Sequence, residues 1–316
     1  MMFKGVDFWP HASLFPIIGL RRYFIIASAL AILSSIVLVA TQGLNFGIDF
    51  KGGSLIEVQA KSGSVDIPGL RTKLGGLGLG DVQIQSLGAS GNEALIRVEQ
   101  QPGGEKAQEA AATKVRAALG ADLNIRRIEV VGPSVSAELK QAGMIAVSAA
   151  IIGILLYIWF RFEWQFAVAA IIALTHDVLI TVGVFSLLQL EFDLSIVAAL
   201  LTLAGYSIND TVVVFDRIRE NLRRFKRMPL EELLNRSINE TLSRTVVTSG
   251  TTFVAVLALY VFGTEVIRGF AFTMLFGIIV GTFSSIFVAS PLLLWWGVKR
   301  DWSTPSADSP KAKEQV

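Results

Sequence analysis

Six stretches of the chain stay predominantly apolar over the length needed to cross a bilayer, about 18 residues or more. They cover residues 23–40, 142–160, 166–188, 194–215, 243–262 and 269–298. The first is flanked by Arg21 and Arg22 and ends in Val39-Ala40, features that a secretory signal shares. About 20 residues precede it, however, and its apolar run exceeds the usual 7–15 residue core of a signal, so it reads as an uncleaved span. The pattern changes over residues 41–141. There, alternating or β-branched runs at Ser54–Gln59, Val82–Leu87, Ala94–Val98 and Ile125–Val131 predict strands, and Ile67–Leu74 and Ala-rich Glu105–Leu119 predict helices. Glycine-rich turns separate them, and the order βαββαβ is the ferredoxin-like arrangement. Residues 216–242 are amphipathic and interrupted by Pro229.

The expected fold is therefore an α-helical polytopic membrane protein with six transmembrane helices and one α+β ferredoxin-like extracytoplasmic domain between helices 1 and 2. Composition agrees. Of 316 residues, 52% are hydrophobic and only 17% charged, with a mean hydropathy of +0.57. Soluble domains carry about 25% charged residues. An ordinary soluble enzyme and a disordered chain are both excluded. With no cysteine, disulfides, iron–sulfur clusters and thiol catalysis are excluded too.

Charge orients the spans. Lys4, Arg21 and Arg22 precede the first, Arg161 lies between the second and third, and eight basic residues from Arg217 to Arg244 separate the fourth from the fifth. Lys299, Arg300, Lys311 and Lys313 follow the sixth. The opposite short loops hold only Arg268. By the positive-inside rule, the arm 1–22, the loop 216–242 and the tail 299–316 are cytoplasmic, and 41–141 lies outside. Six of the eleven residues from Arg217 to Arg227 are basic, which suits anionic membrane lipids or a partner, or simply fixes topology. The tail reads as disordered.

The sequence contains no G-x-x-x-x-G-K-[ST] loop, no H-E-x-x-H and no G-x-S-x-G, and the glycine run Gly75–Gly80 lacks dinucleotide spacing. No enzyme activity, cofactor or metal site is indicated. Ionisable groups at membrane depth are the candidate chemistry, because each is costly unless paired or hydrated. Asp210 follows Asn209 about 24 Å along the fourth span, and Arg244 lies about 27 Å from the outer end of the fifth, at 1.5 Å per residue. An Asp210–Arg244 pair on these antiparallel helices is geometrically allowed. It reads either as a proton-sensitive switch or as a static register pair, and Arg244 also has the option of snorkelling. Asp177, beside His176, falls about 18 Å from the inner face and reads equally as a relay or a buried packing group. Thr245, Thr248, Ser249, Thr251 and Thr252 make the fifth span polar enough to line a water path or to bond between helices. Gly277-x-x-x-Gly281 in the sixth reads as a close-packing face.

Three segments resemble the SecD/SecF family: Asn45–Gly53 after the first span, Gly205–Asn221 in the fourth, and Ser243-Arg244-Thr245 with Thr248–Thr252 in the fifth. Six spans and one modest outer domain match the shorter members rather than the larger SecD. The resemblance implies an accessory subunit of the bacterial Sec translocase in the inner membrane, related to the RND (resistance-nodulation-division) transporters. Its partners would be SecD, the SecYEG channel, YajC and, transiently, the preprotein, with no nucleic acid. It implies that proton-motive force assists late stages of preprotein export, with Asp210 and Arg244 matching the family's proton-path residues and Asn209, Thr248 and Ser249 beside them. Asp177 is not carried over by the family motif. A stand-alone RND-type exporter of small molecules or lipids and a passive translocon scaffold are the alternatives.

Overall fold

The computed structural model describes residues 15–87, 91–120 and 122–298. The first 14 residues of the arm and the tail from residue 299 lie outside the described residues. A single 3-10 turn (Ile18–Leu20) leads into α1 (Arg21–Gln42), followed by β1 (Asn45–Phe46), α2 (Ile48–Lys51) and β2 (Gly53–Ala60). Next come α3 (Ile67–Gly75), β3 (Val82–Leu87), β4 (Glu93–Val98), α4 (Glu105–Ala118) and β5 (Leu123–Val131). The remainder is α5 (Pro133–Arg161), α6 (Trp164–Leu188), β6 (Glu191–Phe192), α7 (Leu194–Arg224), α8 (Leu230–Phe262) and α9 (Glu265–Ser284). A π-helical turn (Ser285–Ala289) then joins α9 to α10 (Ser290–Trp296).

Among the described residues, six helical runs are long and apolar enough to cross a membrane: Ile18–Gln42, α5, α6, α7, α8 and Val266–Trp296. The protein is a multi-pass membrane protein. Two compact units are distinguishable, one containing residues through Gly43, Ile151–Leu187 and Ala199 onward, the other Leu44–Ala150 and Leu188–Ala198.

In the helical unit, small residues set the closest approaches. A Cβ added to Gly183 of α6 would lie 2.2 Å from Ser35 Oγ of α1, and one on Gly277 of α9 would lie 2.4 Å from Leu203 Cδ2 of α7. Gly281, one turn on, faces Ser207 at 3.2 Å. Gly277 and Gly281 thus form the close-packing face that their spacing predicts. Over residues 216–242, where the sequence suggests an interrupted amphipathic segment, α7 and α8 continue to Arg224 and from Leu230. Pro229 caps α8, where a residue without an N–H costs no helical bond. Asn221 Nδ2 ties the two helices by donating to Ser237 Oγ at 3.0 Å and Glu240 Oε2 at 2.7 Å. The sixth span, one uninterrupted run in the sequence, contains the π turn just before Pro291. A proline ring clashes with the carbonyl four residues earlier, and a widened turn relieves this. Ser290 Oγ donates to the Ser285 carbonyl at 2.9 Å across it.

The second unit is built on an antiparallel sheet with strand order β3-β4-β2-β5. One face packs α3 and α4 through Ile56, Val58, Leu74, Ile96 and Val115. The loop between α6 and α7 contributes an element that polarity alone does not predict: β6 pairs in parallel with β1, Asn45 opposite Glu191 and Phe46 opposite Phe192. Asp49 Oδ2 accepts the Leu194 N–H at 3.0 Å, and Asp193 Oδ1 accepts the Ile196 N–H at 3.0 Å. These two carboxylates satisfy donors that the first turn of α7 leaves open. Arg97 forms an ion pair with Glu191. Burial pushes the Glu191 carboxyl above the usual carboxylate range, with Arg97 pulling it back. Asp49→Ala is expected to cost about 1 kcal/mol, read as a lower unfolding midpoint of the purified protein, whereas Asp49→Asn, which keeps an acceptor, should lose much less.

Candidate functional site

Two buried aspartates are met by consecutive serines where α9 passes into the π turn. Asp177 of α6 is fully buried. Its Oδ2 accepts from Ser207 Oγ of α7 and from Ser284 Oγ of α9, the latter at 2.8 Å. Its Oδ1 lies 2.8 Å from Nδ1 of its neighbour His176, while Nε2 of that buried ring has no hydrogen-bond partner among the described residues. A ring that donates from Nδ1 to the carboxylate keeps an acceptor lone pair at the buried Nε2.

Asp210, three residues beyond Ser207 on α7, is buried as well. Its Oδ1 accepts from Thr245 Oγ1 of α8 at 2.8 Å, and its Oδ2 accepts from Ser285 Oγ. Both serines have a second acceptor within reach. Ser284 Oγ lies 3.0 Å from the Gly281 carbonyl, and Ser285 Oγ lies 3.1 Å from the Thr282 carbonyl. A hydroxyl has one proton and two lone pairs. While a carboxylate is charged, its serine donates to it. When the carboxyl binds a proton, the serine turns its hydrogen to the helix carbonyl and accepts from the acid. Protonation is thereby accommodated without leaving a buried donor unpaired, which would cost about 1–3 kcal/mol.

The direct Asp210–Arg244 ion pair considered from depth alone is absent among the described residues. Thr245, the residue after Arg244, takes the carboxylate instead. Arg244 is exposed, and it shares with Asp210 a cavity of about 40 Å³ that Tyr206, Asn209, Val213 and Thr248 also line. That volume exceeds the roughly 10–15 Å³ one water needs. Helix geometry explains the separation: Arg244 and Thr245 project about 100° apart, so a face that buries one turns the other outward.

The model for "Protein export membrane protein SecD/SecF, C-terminal" matches residues 111–299, and that for the "SecD/SecF GG Motif" matches residues 37–63. The chain belongs to the SecD/SecF family. It is 47% identical over 284 residues to the protein translocase subunit SecF of Cereibacter sphaeroides, covering 87% of each. It is 43% identical over 278 residues to SecF of Escherichia coli O157:H7, covering 87% of this chain and 85% of that one. A SecDF subunit of Brucella abortus matches at 43% identity across 92% of this chain, which spans 38% of that longer protein. The crystal structure of SecDF from Thermus thermophilus, described as a translocon-associated membrane protein, superposes with a TM-score of 0.81 at 39% identity. It covers 91% of this chain and 39% of that one. Within the family's GG motif, Gly53 has φ +125°, and a Cβ there would lie 2.5 Å from the Val98 carbonyl oxygen. Backbone conformation and strand contact both require glycine at that position.

The other residues singled out by sequence divide between the network and its rim. Ser249 is buried, accepts from Tyr206 Oη at 3.2 Å and lies 2.7 Å from Thr282 Oγ1. Asn209 is exposed at the small cavity. Thr248, Thr251 and Thr252 donate to carbonyls of their own helix, so they satisfy α8 rather than bond between helices. Ser207, Ser284 and Ser285 are the partners that sequence reasoning did not assign to the aspartates. Two adjacent hydroxyls inside an apolar span are the signal for them, since each needs a buried acceptor.

Proposed function

We propose that the chain works as a SecF-type subunit that, with a SecD partner, couples inward proton flow to late preprotein export through the SecYEG channel of the bacterial inner membrane. The observation that carries this is the pair of buried aspartates held by rotatable hydroxyls in a family of protein export membrane proteins. Asp210 is the proton-binding group. Arg244 biases it across the shared cavity, and Asp177 with His176, Asn209, Thr248 and Ser249 supports it. The chain acts as a transporter subunit and not as an enzyme.

Both termini face the cytoplasm, as the distribution of basic loops requires. The spans occupy 23–40, 142–160, 166–188, 194–215, 243–262 and 269–298. Residues 41–141 form a ferredoxin-like extracytoplasmic domain, a reading supported by the element order and by strand order β3-β4-β2-β5. The exposed Arg244 supports a second subunit against this face, because a guanidinium at membrane depth is costly unless covered or hydrated. Relatives in which SecD and SecF are one SecDF protein support SecD as that subunit. YajC and anionic lipids complete the surroundings.

Co-purification from native membranes tests the reading. Recovery of a SecD partner in equal amount, with slower export of a periplasmic reporter when the chain is depleted, is the expected result. A homodimer with unchanged export would favour a stand-alone exporter instead.

A further inference from the structure

A groove of about 640 Å³ opens on the sheet-containing unit, outside the aspartate network. Phe46, Phe50 and Phe192 form one wall, with ring centroids 5.8–6.3 Å apart. Met144 and Val147 of α5 form the other, and Gly143 also lines it. Met144 is 64% exposed. Two cations, Lys51 and Lys140, line the same groove, and no lining residue is acidic. Neither lysine makes an ion pair among the described residues.

Charge and depth are ordered along α5. Lys140 comes just before the apolar run that begins at residue 142, and Met144, Val147 and Ser148 follow about 6–12 Å further along the axis. The Lys140 ammonium therefore stands where headgroups lie, and the α5 wall of the groove where acyl chains begin, with Lys51 lining the same groove. A polypeptide segment has no reason to place its acidic groups at one end only, whereas an anionic phospholipid must.

We infer that this groove holds one anionic phospholipid, its phosphate met by Lys51 and Lys140 and an acyl chain lying between the phenylalanines and α5. Only the choice of leaflet rests on the orientation proposed above; binding itself is measured without export, so the two readings fail separately.

The test has two arms. First, full-length protein carrying a benzophenone side chain at position 144 is irradiated in native membranes with its partners present. An adduct of phospholipid mass supports the site, and a polypeptide adduct overturns it. Second, delipidated full-length protein is titrated with phosphatidylglycerol or phosphatidylcholine and bound lipid is counted by native mass spectrometry. Each lysine near anionic lipid is worth roughly fivefold in affinity. The Lys51→Gln/Lys140→Gln pair is therefore expected to weaken phosphatidylglycerol at least tenfold and leave phosphatidylcholine unchanged. Ser148→Trp, at an exposed position on the groove, should weaken both by filling it. Equal retention of the two lipids by the wild type, or no loss in the lysine variant, overturns the inference.

Discussion

Asp210→Asn is expected to stop proton flux through the assembled complex and to slow export of a periplasmic reporter, while the protein still folds and still captures its partner. The substitution keeps the volume of the side chain. Its Oδ1 continues to accept from Thr245, and its Nδ2 donates to Ser285 Oγ, whose hydrogen turns to the Thr282 carbonyl 3.1 Å away. Every buried polar atom keeps a partner, so stability changes little. What disappears is the ionisable carboxyl that Thr245 and Ser285 hold. A positioned proton-transfer group contributes roughly 10²–10⁴-fold, so flux measured in vesicles should fall by about two orders of magnitude. Normal flux from a correctly assembled variant would remove Asp210 from the path. Thr245→Val and Ser285→Ala each strip one donor from the carboxylate and should shift the pH dependence of flux without abolishing it.

Gly183→Ala is expected to produce a large loss of stability from a single methyl group. The new Cβ would meet Ser35 at Oγ (2.2 Å), Cβ (2.3 Å) and backbone Cα (2.8 Å). A side-chain rotation relieves only the first of these, so α1 and α6 must separate. Overpacking of this kind costs about 1–3 kcal/mol, and here the backbone contact argues for the upper end. Thermal melts of the purified protein in detergent measure it. Ser35→Gly in the Gly183→Ala background removes two of the three collisions and should recover much of the loss. No recovery would show that the two helices are not the source.

The spans and the strands of the inserted region were legible because their burial repeats along the chain. β5, with its regular alternation of half-buried and exposed positions, is the clearest case. Hydropathy failed where the cause is not local. The β1–β6 pairing joins residues about 146 positions apart through only two residues on each side. The π turn depends on Pro291 acting backwards on a run that is otherwise apolar. For the site, depth arithmetic along α7 and α8 brought together the two helices that the Thr245–Asp210 bond joins. It carried no azimuth, which is why it paired Asp210 with Arg244 when the structure turns Thr245 toward the carboxylate. Asp177 was legible as a costly group, but its serine partners come from two other helices and left no mark in its own span.

The consecutive serines where α9 passes into the π turn have a further consequence. Ser284 serves Asp177 and Ser285 serves Asp210, and one helix carries both hydroxyls. Any movement that withdraws that helix strips a donor from both acids together. The two carboxyls are therefore connected mechanically through one run of helix, although no hydrogen bond runs directly between them among the described residues.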